Sequence, residues 1–478
     1  MPFPEHAGPV FRTRRIRIEA DRRGKTTPYG GLALAHKLVS WLGLQKAIDS
    51  ELELLKLHLP YRESDHLLTH VYNIFAGGDC IEDIASLQNS EPVRNLLGAC
   101  RVPDPTTAGD FLRRFTGHDL GVVDGVMDEL RSRGWKCLPR SRRRRATVDL
   151  DSTIKPVYGE CKQGAAFSYK KTWSYHPLLI SLAETNECLR LINRSGNAGS
   201  AEGVEEALDP VLGRVTECFE EVVVRGDSAF YRKELMELCL AHGVHFALVM
   251  KATADLVARA EALPEERWRP FVSHPRESDA DKRPSCRRHR QRIRRIKARR
   301  RGYTTLSTIG EWVAEIRHRP TGLKRDFRVL IKRQLIREES QTALFDSYEY
   351  RFLITTFEKM PAADVVRLAY GRCAQENTIE QLKNGVAALR MPTGELVANG
   401  AFMTAALIAW SLRSWLSLLA LPAETLRWEW KRFRHAFVYL AAKVVTGARS
   451  VVARVSESHR FTSEMLAAST RLDALGFR

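Results

Sequence analysis

Two carboxylates stand in an otherwise apolar, β-branched run, "ATVDLDSTIKPVYG", residues 146–159. Alternation along a strand sends Asp149 and Asp151 to the same face. Aspartate is depleted in strands, and a buried, unpaired carboxylate is costly, so these two acids require a positive partner. A further acid, Asp227, ends the run "EVVVRGD" where the chain turns away at "GDSAF". Functional groups of open α/β sheets gather at such strand ends. The segment "AYGRCAQENTIEQLKNG", residues 369–385, supplies the rest. Read as one helix, it sets Arg372, Glu376 and Glu380 at i, i+4 and i+8, with Lys383 seven residues after Glu376 on the same stripe. Singly these signals are bland: a strand-end Asp is usually a turn cap, and a charged stripe is usually a solvated face. Their coincidence is what carries weight. Carboxylates ~4 Å apart repel by ~4 kcal/mol at an effective dielectric of 20, and a bound divalent cation reverses that sign. Oxygen-only donors without His or Cys suit Mg2+, with Mn2+ as the alternative. Two such ions ~3.5–4 Å apart serve in-line phosphoryl displacement, one at the attacking oxygen and one at the leaving oxygen. The chemistry expected is therefore two-metal cleavage of phosphodiesters.

These acids need a sheet to hold them. Strand-like runs occur at 147–154, 175–182 and 188–193, then a helix over 201–217, a strand in "FEEVVVRGDSAF", a helix over 231–242 and the strand "VHFALVMKA". The order β-β-β-α-β-α-β predicts a mixed α/β sheet in which hairpins precede crossover units. Residues 30–130 show apolar spacing of three and four and predict helices. Within them "PDPTTAGDFLRRF" offers a Thr cap, and its short helix is either a packing helix or one that enters a DNA groove. Residues 252–348 break the rhythm and predict a β-rich, Arg-rich insertion, including the basic run at 285–302. The strand "YEYRFLITT" and a helical tail follow. The domains expected are a helical N-terminal DNA-binding or dimerisation domain (1–140), a core in two parts (141–251 and 349–425) around the insertion (252–348), and a helical tail (426–478).

The chain has 478 residues and a net charge of +18. The length predicts two or three domains, and the charge favours a polyanionic partner, nucleic acid first. Arg142, Arg143, Arg144 and Arg145 of the basic linker and the run at 285–301 are candidate phosphate contacts. Nine scattered cysteines without a C-x-x-C pair indicate neither a disulfide framework nor a zinc site, and fit a cytoplasmic protein. The N-terminus lacks the apolar core of a signal peptide. The most apolar segment, 398–422, is interrupted by Arg413 and predicts a buried core helix, with no membrane partner.

The blocks "DLDSTIKPVYG", "KTWSYHPLLISL", "VVVRGDSAFY" and "ENTIEQLKNG" resemble, in order, those of the DDE transposases of bacterial insertion sequences, most of all the insertion-sequence family numbered thirteen-eighty. The resemblance covers roughly residues 25–420. It implies a ribonuclease-H-like core with a β-rich insertion between the second and third acids, here 149 residues apart. It implies an Arg-x3-Glu-x6-Lys signature, which Arg372, Glu376 and Lys383 match; Tyr370 stands one residue closer to the Arg than the usual pattern. That spacing selects Glu376 over Glu380, and a D-x-S/T pattern favours Asp151 over Asp149 as first acid. Asp151, Asp227 and Glu376 would then be catalytic and hold the metals, while Tyr370, Arg372 and Lys383 would contact DNA phosphate. The partners implied are double-stranded DNA, as the element's terminal inverted repeats and target DNA, and a second copy in a homodimer. The setting implied is a bacterial, nucleoid-associated protein. Two other readings stay open: a metal-dependent nuclease of the same fold without strand transfer, and a catalytically inactive DNA-binding protein derived from a transposase.

Overall fold

A computed structural model describes residues 25–58, 60–272, 306–338, 347–447 and 450–475. The basic run at 285–302 lies outside these residues. Nine strands form the main sheet: β1 (Arg145–Ser152), β2 (Leu178–Leu182), β3 (Glu187–Ile192), β4 (Glu221–Gly226), β5 (His245–Met250), β6 (Arg269–Pro270), β7 (Leu306–His318), β8 (Phe327–Glu338) and β9 (Ser347–Thr355). Their order is β6-β7-β8-β9-β5-β4-β1-β2-β3. β1, β4 and β5 run parallel, and the remaining neighbours pair antiparallel. Parallel neighbours need crossovers. The helices Val204–Cys218 and Lys233–Ala241 supply them.

The alternation in β1 divides its residues cleanly. Ala146, Val148 and Leu150 enter an apolar layer with Leu208, Leu212 and Val215 of the Val204–Cys218 helix. Thr147, Asp149 and Asp151 therefore occupy the other face. On that face Val223 of β4 and Ala247 of β5 pack against Val365, Val366 and Ala369 of the helix Ala362–Tyr370. The helix covers the acid-bearing face and turns a sheet surface into an interior.

Two expectations change here. The β-rich stretch after residue 252 is not set apart from the core. β7 and β8 continue the same sheet, because β9 pairs with β8 on one side and with β5 on the other. The tail is also not all helical. Between the helices Trp430–Phe437 and Thr462–Ala474, a hairpin of Ala442–Thr446 and Val451–Val455 pairs with Thr26–Thr27. The Val-rich strands of that hairpin suit β structure better than helix.

Residues 396–419 form one helix whose most apolar 18-residue window is 89% buried. It meets the length and hydropathy of a membrane span, yet it lies inside the protein. Its Phe402, Ile408 and Leu412 share one core with Leu38 and Val39 of Leu32–Leu42, Leu67 and Val71 of Glu63–Ala76, and Val126 and Leu130 of Gly117–Lys136. Arg413, fully buried, donates to the carbonyls of Thr425 (2.8 Å), Leu426 (2.7 Å) and Trp428. Its charge is thus met by three backbone acceptors. The short helix Pro105–Leu112 takes the packing role: Ala108, Phe111 and Leu112 are buried in the same core. Its cap is Asp104 rather than a Thr, with Oδ1 accepting from the Thr107 N–H at 3.0 Å.

Candidate active site at the carboxyl ends of the sheet

The parallel register sets Asp149 of β1 opposite Arg225 of β4. Asp151 stands near the carboxyl end of β1 and Asp227 follows directly on β4, close enough that their charges interact. Gly226 makes the exit possible. A Cβ there would lie 2.7 Å from the Phe230 Cβ, so only glycine lets the buried Phe230 fold back under the turn. The Asp227 Oδ1 accepts from the Ala229 N–H at 2.9 Å, which makes it a turn cap, and the residue is exposed.

The two acids of β1 have different partners. Asp149, 1% exposed, takes both Nε (2.6 Å) and Nη2 (2.7 Å) of Arg225, itself 4% exposed. Burial pushes its carboxyl up and the Arg225 guanidinium draws it down. The positive partner that the sequence demanded is, for Asp149, an arginine. Asp151 is partly exposed; its Oδ1 accepts from the Ser152 N–H at 2.7 Å, and the Arg372 Nη2 lies 3.4 Å from its Oδ2. Burial raises the Asp151 carboxyl, Arg372 and the Ser152 N–H lower it, and the charges of Asp227 and Asp149 raise it further.

The segment 369–385 is not one continuous α-helix: it breaks ahead of Glu376, and Lys383 falls in a π turn. The chain forms the helix Ala362–Tyr370, breaks at Gly371 and Arg372, resumes as Cys373–Glu380 and ends in a π turn, Gln381–Gly385. The break has a local cause. The Leu368 carbonyl accepts from the Gly371 N–H at 3.2 Å and from Arg225 Nη1 at 2.5 Å, closing the first helix. Arg372 then caps the second helix and reaches β1, donating to the Leu150 carbonyl at 2.9 Å and to Gln375 Oε1 at 3.0 Å. Glu376 sits on the first turn of that helix, exposed, its N–H bonded to the Arg372 carbonyl. Lys383, in the π turn, is half-buried; burial lowers its ammonium, while the charges of Glu380 and Asp151 raise it.

Tyr370 is not brought to the acids. Its ring lies 5.4 Å from the Lys332 Nζ of β8, a strand well removed from β1 in the sheet, and burial pushes its hydroxyl up to about 12. The linker arginines also lie elsewhere. Arg145 begins β1, six residues and therefore ~20 Å from Asp151. Arg145 pairs with Glu221, Arg143 Nε donates to the Leu138 carbonyl, and Arg142 and Arg144 are exposed. Spacing alone did not single out Arg225 or His176. An arginine inside the buried run "VVVRG" was a readable signal for a neighbouring acid. His176 Nε2 lies 3.0 Å from the Ser152 Oγ, and its Nδ1 lies 2.8 Å from the Ala198 carbonyl. Nδ1 therefore carries the proton, and Nε2 accepts from the serine next to Asp151.

Every candidate ligand here is a carboxylate oxygen, and Asp151 is repelled by its acidic neighbours. That donor chemistry fits a hard divalent cation. Among the described residues, the one trio of ligand atoms within 4.8 Å of one another is Asp79, Cys80 and Asp83, and the carboxylates of Asp151, Asp227 and Glu376 stand further apart. In the first group Asp83 Oδ2 accepts from the N–H of Asp79 and Cys80, and Asp79 pairs with Arg390. Local capping accounts for it.

Residues 9–477 match the family model described as transposase DDE domain group 1. No curated protein matches the chain. Among solved structures it is similar to the piggyBac transposase in a cryo-EM synaptic complex with hairpin DNA, at 8% identity and a TM-score of 0.34, covering 87% of this chain and 82% of that one.

Proposed function

From the premise that the chain belongs to the DDE transposase domain family, group 1, we propose that it excises a DNA element by cutting at its terminal inverted repeats and joins the freed 3′ ends to target DNA. The observation that carries this reading is that Asp151 near the end of β1 and Asp227 just after the parallel β4 stand within electrostatic reach of each other, with Arg372 docking the Glu376 helix onto β1. We read the order β3-β2-β1-β4-β5 as a ribonuclease-H-like core.

Asp151, Asp227 and Glu376 would hold Mg2+, or Mn2+ in its place; the cation would activate the attacking oxygen and neutralise charge on the leaving one. Asp149 is the less suited first acid, since both its oxygens are committed to Arg225. Arg372 holds the Asp151 carboxylate and the start of the Glu376 helix in one geometry. Lys383, within electrostatic reach of Asp151, would bind a phosphate oxygen of the strand being cut. Arg142 and Arg144, at the opposite end of β1, would bind flanking duplex without taking part in the reaction. Coordinated cutting of two ends calls for a homodimer. The test is excision in vitro of a DNA flanked by the element's own ends, with and without Mg2+. Metal-dependent excision with strand-transfer products supports the proposal. Cleavage without joining would reduce it to a nuclease, and binding without cleavage would refute it.

A further inference from the structure

Between β1 and β2, the chain folds into a small three-stranded sheet of Lys155–Pro156, Ala166–Phe167 and Trp173–Tyr175, the last in the middle. This flap turns large rings to solvent: Tyr158 is 90% exposed, Tyr169 71% and Phe167 67%. Single exposed apolar residues are ordinary, whereas a group of them marks an interaction surface. The rings are held in place. Phe167 pairs across the strands with Trp173, ring centroids 5.4 Å apart, and Trp173 Nε1 donates to the Gly159 carbonyl at 3.2 Å, pinning the loop that bears Tyr158. The flap is anchored by Lys162 Nζ, which donates to the carbonyls of Met391 and Thr393, both at 2.9 Å.

The flap is also basic and adjoins the acids. Lys170 Nζ lies 5.5 Å from the Tyr169 ring centroid, and Lys171 beside it is exposed. The Tyr169 ring is 6.1 Å from His176, which bonds Ser152, the neighbour of Asp151. Ammonium groups interleaved with accessible ring faces match an unpaired nucleic-acid strand, which offers phosphates and bare base faces together. A duplex hides those faces and could use only the lysines.

We propose that the 153–177 flap is a stacking platform for unpaired bases of the DNA strand entering the site, with Tyr158, Phe167 and Tyr169 as the ring faces and Lys170 and Lys171 as phosphate contacts. This rests on the reading of the site as one that cuts DNA.

The test uses the full chain without divalent metal, and compares its affinity for a fluorescent single-stranded oligonucleotide with that for the duplex of the same sequence. In the Tyr158→Ala/Tyr169→Ala variant single-strand affinity should fall by at least ~5-fold for each base that no longer stacks, while duplex affinity stays unchanged. Tyr158→Phe/Tyr169→Phe should retain both affinities, and an unchanged thermal unfolding curve shows that the fold is intact. Equal weakening for single strand and duplex, or no weakening at all, overturns the proposal. So does a variant that keeps single-strand affinity but loses self-association, since the rings would then cover a second copy. No cleavage is read, so the outcome is independent of whether Asp151, Asp227 and Glu376 prove catalytic.

Discussion

The Asp149–Arg225 pair offers a prediction in which stability and catalysis part company. Both side chains are at most 4% exposed and joined by two hydrogen bonds, and Arg225 also holds the Leu368 carbonyl that closes the Ala362–Tyr370 helix. Replacing one partner leaves the other charge buried and unpaired, which costs about 3–5 kcal/mol. Arg225→Met and Asp149→Leu should each lose that much in unfolding free energy by urea titration. The double variant buries no charge and should lie within about 1 kcal/mol of the wild type, because apolar replacement of a buried pair is often neutral or better. The coupling between the two substitutions is then close to the two single losses combined. Cleavage should behave otherwise. The double variant still lacks the Arg225 bond to Leu368, so the hinge before Arg372 and Glu376 is released and cleavage stays low. Single variants costing less than about 1 kcal/mol, or a double variant as unstable as the sum of the singles, would refute the argument that this pair is a closed unit. Restored stability together with wild-type cleavage would refute the positioning role.

Asp227→Asn and Asp151→Asn should each abolish strand cleavage while end-DNA binding persists, with Asp149→Asn milder in cleavage; the reverse order in a plasmid nicking assay would show that the first acid is Asp149. Because burial raises the Asp151 carboxyl, its contribution to the metal-free fold is fully present below the unfolded value and is lost as pH rises through the raised folded value. Mg2+ requires the ionised form, so the thermal shift produced by Mg2+ should grow with pH across that same interval, and a pH-independent shift would tell against Asp151 as a ligand. Residues 287–301 contain ten Lys or Arg. Deleting them should weaken binding to all DNA sequences alike and flatten the plot of log K against log salt by about 0.9 for each phosphate that the protein then leaves unneutralised; an unchanged slope means that the run does not touch DNA.

Much of the core was legible because it follows period and placement. The alternation in "ATVDLDS" correctly put both acids on one face, and "EVVVRGD" correctly ended a strand at Asp227. The partnerships were less legible because they are set by tertiary register. Nothing local in residues 146–152 says that Arg225 will stand opposite Asp149, although an arginine within a run of valines asks for some acid. The stripe from Arg372 to Lys383 was read with the periodicity of one α-helix, whereas Arg372 stands at its cap and Lys383 falls in the π turn that ends it. Tyr370 was carried over from the resemblance although it stands one residue closer to Arg372 than the usual pattern, and its ring lies against Lys332. The continuation of the sheet through β7 and β8 depends on β9 meeting β5, a long-range pairing that neither segment announces.

The helix Leu396–Leu419 has a consequence for how this chain reaches its native state. The apolar faces of Leu32–Leu42, Glu63–Ala76 and Gly117–Lys136 converge on it, yet it is synthesised 260 residues after the last of them ends. Until it emerges, those faces have no permanent cover, and transiently exposed apolar surface is where growing chains aggregate. The helices of the amino-terminal third therefore close their core only together with Leu396–Leu419. A fragment ending near residue 140 should need either chaperone protection or the 396–419 segment supplied in trans, and the late helix acts as a checkpoint that only a fully translated chain passes.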